Sequence, residues 1–253
     1  MIGELTEFDL AAMLRCSQGL RQAAQGAGSM EEAARSVCRF LYDELGDGNG
    51  GRACVLARFY RTHPYGALPP DLQRFAKRAF GMVAISPPEP GMKCLTLLAT
   101  VGDAPEWNDR RASVGHQAIP LPSPHVVERA PMIAQLIREF GMELSDVVRP
   151  SNDVVRALGG KSYGVFHVEN AAGSPYIPAQ EGFVDRYGIR SVVGFGGLLP
   201  SGDLFGVILF TRVHVPIEAA DRFRPLALEL KTCLIPFGDR VFAPDPDPSP
   251  ASV

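Results

Sequence analysis

The sequence predicts an α+β fold: an antiparallel central sheet of about five or six strands with helices packed on it. Three observations predict it. The segments SVVGFGGLL (from Ser191) and LFGVILFTR (from Leu204) are apolar, β-branched and aromatic, and a PSGD turn joins them as an antiparallel hairpin. The run that follows, beginning at Pro216, carries an apolar stripe at Ala220, Phe223, Leu226, Ala227 and Leu230 that must fold back onto the hairpin. Upstream, helical and strand patterns alternate along the chain, while the hairpin requires antiparallel pairing.

The N-terminal part reads as two helices. Leu10, Met13, Leu14 and Leu20 recur at helical spacing from Phe8 to Gln25, and Gly26 to Gly28 ends the run. Ser29 and Glu32 form a capping-box pair that opens a second helix to about Leu45. GDGNGG (Gly46 to Gly51) is a loop. Arg52 to Tyr60 alternates as a strand, THPYGALPP is a loop, and Pro69 or Pro70 opens a helix through Phe80. Cys94 to Val101 is an apolar run suited to an interior strand. Gly102 to Ser123 reads as a long irregular loop, and a loop of that length in a compact domain is usually functional. Pro124 to Phe140 is helical with a restart at Pro131 and a cap at Gly141, and Glu143 to Gly160 adds a broken helix. Ser162 to Val168 is a strand, with Tyr163, Val165 and His167 on one face and Phe166 and Val168 on the other. Pro178 to Tyr187 forms a short helix ahead of the hairpin. The expected domain spans 1–240, and APDPDPSPASV, within 241–253, is a disordered proline- and aspartate-rich tail.

Composition narrows the function classes. Hydrophobic residues make up 46% and charged residues 21% of 253, enough apolar material for a core, and the net charge of −3 argues against nucleic acid as a partner. The start lacks a basic, apolar leader, and no apolar run reaches the ~20 residues of a membrane span, so a membrane role is not expected. Five dispersed cysteines without a C-x-x-C pair point to reduced thiols packed as small hydrophobes in a cytoplasmic protein.

Candidate site residues follow from residue type and place. His116, between Gly115 and Gln117 in the long loop, is suited to a ligand hydrogen bond or a metal; the alternative is a histidine that fixes its loop. Trp107 is suited to stacking on a planar ligand or to anchoring the loop. His167 joins the site if its strand face is the pocket face. Cys94 is a reactive thiol only if exposed beside a positive group, and otherwise a core residue. Tyr176 and Gln180 either donate into a pocket or stiffen the crossover. Gly194-Phe195-Gly196-Gly197 marks a bulge, a packing gap or close approach of a ligand, and its spacing is not that of a phosphate loop. His63 and His125 read as loop and helix-start residues beside prolines.

The closing pattern SVVGFGGLLPSGDLFGVILFTR followed by IEAADRFRPLALEL resembles that of GAF domains, and SMEEAARSVCRFLYDEL followed by RACVLARFY is similar to their opening helix and first strand. The resemblance covers the two ends of the chain. It departs in the enlarged middle, residues 103–170, and in GFGG, where many members have a Val-Pro pair. The resemblance implies a sensory module: a small-molecule ligand or cofactor of unknown identity in a pocket lined by His116, Trp107, Phe166, Tyr176 and Phe195, with His167 and Cys94 as further candidates. It also implies a homodimer through the terminal helices and an effector that is either a separate protein or part of a longer chain of which this is a fragment. An enzyme using Cys94 or His116, and a scaffold without ligand, are the alternatives.

Overall fold

The computed structural model describes residues 1–81, 87–151, 153 and 162–244. Six strands form one antiparallel sheet: β3 (Cys54–Pro64), β4 (Lys93–Gly102), β5 (Ala118–Leu121), β6 (Tyr163–Val168), β7 (Ser191–Leu198) and β8 (Leu204–Thr211), in the spatial order β5-β4-β3-β8-β7-β6. A separate parallel pair joins β1 (Gly3–Glu4) to β2 (Leu45–Gly46). The expected hairpin is β7–β8, paired from Ser191↔Thr211 to Leu198↔Leu204. Every residue of both strands is buried.

Burial on both sides requires two covering layers. One layer is helical: α1 (Leu10–Ala24), α2 (Met30–Glu44) and the C-terminal helices α7 (Ile217–Asp221) and α8 (Arg224–Leu234). Its core includes Phe8, Leu41, Phe59, Phe195, Phe205, Phe223 and Leu230, with Phe223 stacked between Phe8 and Phe195. The last helix was expected as one run to Leu234; it breaks at Arg222 and Phe223, and Pro225 stands in the first turn of the second piece, where its missing N–H has no partner to lose. The other layer consists of crossover segments: residues 103–117, α4 (Pro124–Glu128), α5 (Pro131–Glu139), α6 (Leu144–Val148) and a π-helical turn at Gln180–Asp185. Its core includes Leu56, Tyr60, Trp107, Phe140, Phe166, Ile208 and Phe210. The helix α3 (Pro70–Gly81) covers a third, smaller cluster at the β4–β5 edge with Leu72, Ala76 and Cys94.

Local signals explain the helix starts. Asp9 caps α1 by accepting from Ala12 N at 2.7 Å. Ser29 accepts from Glu32 N at 3.2 Å, while the Glu32 carboxylate turns outward to Gly28 N at 2.8 Å, so only half of the expected capping box forms. The chain after α8 supplies the rest: Met30 N and Glu31 N donate to the carbonyls of Arg240 and Val241 at 2.9 and 2.8 Å. Val241 is buried and Phe242 half-buried, so the ordered body includes residues 241–243 that were expected to begin a disordered tail. Residues 245–253 and most of the expected helix beyond Ser151 lie outside the described residues.

Two strand boundaries differ from expectation. β3 continues through His63 and Pro64, and β5 lies inside the segment read as loop. β5 is an edge strand with Pro120 in it, the one place in a sheet where proline is tolerated and where its sequence signal is weakest. The Gly194–Gly197 run is not a bulge: β7 pairs with β6 and β8 without a register shift. A side chain at Gly196 would strike the Phe205 carbonyl and the Phe140 ring, and one at Gly206 would meet that ring at 3.3 Å. These glycines open the gap in which Phe140, at the end of α5, sits directly on the sheet. Gly196→Ala is therefore expected to destabilise the fold by about 2–3 kcal/mol, against a smaller loss for Gly194→Ala, whose nearest neighbour is Phe166 at 3.3 Å; urea unfolding of the two variants measures the difference.

Candidate functional site

Among the apolar residues of the crossover face β3 carries one charged side chain. Arg58 stands on β3, a central strand, between Leu56 and Tyr60, which both join the crossover core. It is half-buried. Its guanidinium donates to the hydroxyls of Tyr60 and Ser113, each at 3.4 Å, and its Nε has no partner. No ion pair joins it among the described residues. Thr100, its register partner on β4, is buried with an unpartnered hydroxyl. The neighbours of Thr100, Ala99 and Val101, belong to the helical layer, so alternation aims Thr100 at the same face as Arg58.

Beside Arg58 lies an aromatic wall. Ile208 and Phe210 on β8 pair in register with Arg58 and Leu56. The Phe210 ring meets Phe183 edge-on at 4.9 Å, and Trp107 lies 4.5 Å from Tyr187 and 5.8 Å from Phe183. Phe183 and Tyr187 are half-buried, so the wall has an open rim. Trp107 is held by its loop: Asn108 Nδ2 donates to the carbonyls of Gly102 and Ala104 at 2.8 and 3.0 Å, and Gly102 leaves room for the indole. Arg58, Thr100 and these rings therefore share one face of the sheet, an aromatic surface with a cation and hydroxyls in the neighbouring strands. That pattern suits a ligand with a planar or apolar body and an acceptor or anionic group.

The seven expected site residues do not converge. Trp107, Phe166 and Tyr176 share the crossover face, where Tyr176 packs edge-on against Phe166 at 6.1 Å. His116 lies at the margin of the same face, at an exposed turn with φ of 59° after Gly115 at 78°. Crowding by its loop and then the charge of Arg58 hold its imidazole below the usual range. Phe195 and His167 point the other way. Phe195 is sealed under Phe223, and His167 Nε2 lies 2.9 Å from the Val215 carbonyl. Strand alternation makes this unavoidable, because Phe166 and His167 are neighbours on β6. Cys94 is buried under α3, and desolvation pushes its thiol up to about 12, which removes the thiolate that a nucleophile needs. Its cross-strand neighbour is His63, not His116. Gln180 is consumed locally: it bonds the Ala171 and Ile177 carbonyls and accepts from Gly173 N, which stiffens the crossover. Arg58 went unnoticed because a lone arginine in an alternating strand reads as a solvent-facing residue.

A second polar cluster stands at the end of the sheet where the hairpin turns. Asp203 accepts from Lys93 Nζ at 2.7 Å and from Arg61 at 2.9 Å, and all three side chains are almost fully buried. Burial opposes ionisation of Asp203, but Lys93 and Arg61 outweigh it and hold its carboxyl below the usual range. His63, on β3 rather than in a loop, is 4% exposed and neither ring nitrogen has a partner. An open hollow elsewhere, lined by Tyr42, Asp43, Arg52, Asp103 and Arg212, is polar but self-satisfied: Asp103 takes both Tyr42 and Arg212, and Arg52 pairs with Asp43.

No family model matches the chain, and no curated protein matches it. Among solved structures the chain is similar to the N-acylhomoserine lactone dependent LuxR family transcription factor CepR2 from Burkholderia cenocepacia, with 14% identity and a TM-score of 0.37 over 90% of this chain and 97% of that one. Among the described residues no helix is long and apolar enough to cross a membrane, and no group of three acidic, histidine or cysteine side chains is arranged to hold a metal ion.

Two consequences can be measured. Burial, then Arg61, depress His63 from 6.5 to about 3, while burial raises the thiols of Cys16, Cys54 and Cys94 from 9.0 to about 12. Below pH 6.5 the unfolded chain gains a proton at His63 that the folded chain refuses, so stability falls as pH drops toward 3. Above pH 9.0 the unfolded chain loses thiol protons that the folded chain keeps, so stability falls again. The urea midpoint is expected to peak between these limits, and a flat profile would contradict the burial of both sets. Separately, Asp203→Ala leaves two buried cations without a counter-charge and is expected to cost about 3–5 kcal/mol in the same assay.

Proposed function

We propose that this chain is a small-molecule-binding sensory module, with the ligand held on the crossover face against Arg58 and the Trp107, Phe183, Tyr187 and Phe210 wall. The observation that carries the reading is Arg58: a half-buried guanidinium on a central strand, in an apolar surface, bonded only to two distant hydroxyls among the described residues. Holding such a charge away from water is unfavourable unless something satisfies it. A ligand carboxylate, carbonyl or sulfonate does so, and the neighbouring rings take its planar or apolar part. The GAF likeness of the two chain ends belongs to the same reading. So do a homodimer and a separate effector in the cytoplasm: Leu10 and Leu14 on α1 and Leu228 on α8 are exposed, and the two helices lie side by side through Ser17 and Glu229. Thiols buried as neutral core groups favour a reducing compartment.

The sequence's single tryptophan stands in the aromatic wall, which provides the test. Anilinonaphthalene sulfonate, an aromatic anion, is expected to bind saturably and to take up excitation energy from Trp107. Arg58→Met should weaken that binding about tenfold by removing a charge-assisted donor, and Phe183→Ala should weaken it without altering the far-ultraviolet circular dichroism. Binding that leaves Trp107 emission unchanged, or that ignores Arg58→Met, would sink the proposal.

A further inference from the structure

The cluster at the hairpin end is a different site with different chemistry. It holds two cations, Arg61 and Lys93, against the single carboxylate of Asp203, so one positive charge is left over in a buried place. Arg61 makes one strong bond, to Asp203; its other terminal nitrogen meets only the Met30 sulfur at 3.4 Å, and its Nε has no partner. His63 is two residues along β3 on the same face, and both its ring nitrogens are unpartnered. A buried polar atom left unpaired costs free energy, and here three such atoms, two donors and one acceptor of a neutral imidazole, adjoin two cations that share one carboxylate. The neighbouring Arg110 has two carboxylates of its own, Glu31 at 2.7 Å and Asp71 at 3.3 Å, so it adds no positive charge here.

The roof over this cluster is the chain after α8. The Phe242 ring lies 5.1 Å from the His63 ring and also covers the Arg110 guanidinium. The strap is held to the start of α2 by three hydrogen bonds: Met30 N to Arg240 O, Glu31 N to Val241 O, and Ala243 N to the Glu31 carboxylate at 3.1 Å. Phe242 itself is only half-buried. Phe242 is thus held by these three hydrogen bonds and by partial packing, and a short segment held so opens locally at lower free-energy cost than the core.

We propose that Arg61, His63 and Lys93 form a second binding site, for a small oxyanion such as a phosphate or carboxylate group, and that the Phe242 strap is its lid. The oxyanion accepts from Arg61 Nε and a His63 ring N–H, and its charge balances the surplus cation that Asp203 leaves. Entry requires Phe242 to lift from His63, while the Asp203 ion pairs stay in place.

The experiment is isothermal titration calorimetry of the full chain with sodium phosphate, sodium acetate and sodium chloride at matched ionic strength. Saturable one-site binding of phosphate or acetate, absent with chloride, is expected, and whichever of the two binds more tightly names the chemistry. Lys93→Met removes the surplus charge but leaves the Arg61–Asp203 pair balanced, so the variant should fold; it is expected to lose affinity about tenfold or more. His63→Phe should weaken binding by a similar factor, and Phe242→Ala should retain it with a faster on-rate. No saturable heat with either oxyanion, or affinity unchanged in both Lys93→Met and His63→Phe, would overturn the site. A Phe242→Ala variant that binds at the wild-type rate would overturn the lid.

Discussion

Strands β7 and β8 are buried along their whole length on both faces, and the rest of the molecule answers that requirement. A sheet that shows no side to water needs two covers, and the chain supplies them from different parts of itself. The helical cover draws on the first two and the last helices, which close on one another through the Phe8–Phe223–Phe195 stack. The crossover cover comes from the middle of the chain and is built of short, proline-started helices and loops. Short elements cannot seal a sheet as evenly as long helices do. The half-buried Phe183, Tyr187 and Arg58 lie where that second cover is thinnest.

The Asp203 cluster and Arg58 differ in what they do for the structure. At the end of the hairpin, Asp203 ties the β7–β8 turn to β3 and β4 through two cations, so it fixes the relative height of three strands. Among the described residues Arg58 joins β3 to the crossover segment only through Ser113. Its bonds to Tyr60 and Ser113 are long and neutral, and its loss leaves no carboxylate exposed. Arg58 and Arg61 both stand on β3, three residues apart, but among the described residues only Arg61 of the two has a carboxylate partner.

Much of the fold was legible. The 3.6-residue spacing in α1 and α2, the Ser29 cap, the restart at Pro131 and the hairpin all follow from local rules that act within a few residues. Edge strand β5 was not legible, since its four residues include Pro120 and gain their pairing only from β4. The glycines of β7 were legible as unusual but not as to purpose, because Gly196 makes room for Phe140 and Gly194 and Gly197 for β6, all of them distant in the chain. The site was legible only in part. Trp107, Phe166 and Tyr176 do share a face; Phe195 and His167 cannot join them, because alternation sends neighbours of a strand to opposite sides.

The sequence by itself determined the elements, their antiparallel pairing at the hairpin and the class α+β, since propensity, capping and periodicity are properties of neighbouring residues. Tertiary structure alone decided which residues meet. It set His63 opposite Cys94 and under Phe242, it gave Asp203 its two cations, and among the described residues it gave Arg58 no carboxylate. Those outcomes depend on strand order, register and the layer laid over each face, and they join residues too far apart in the chain for any local pattern to encode.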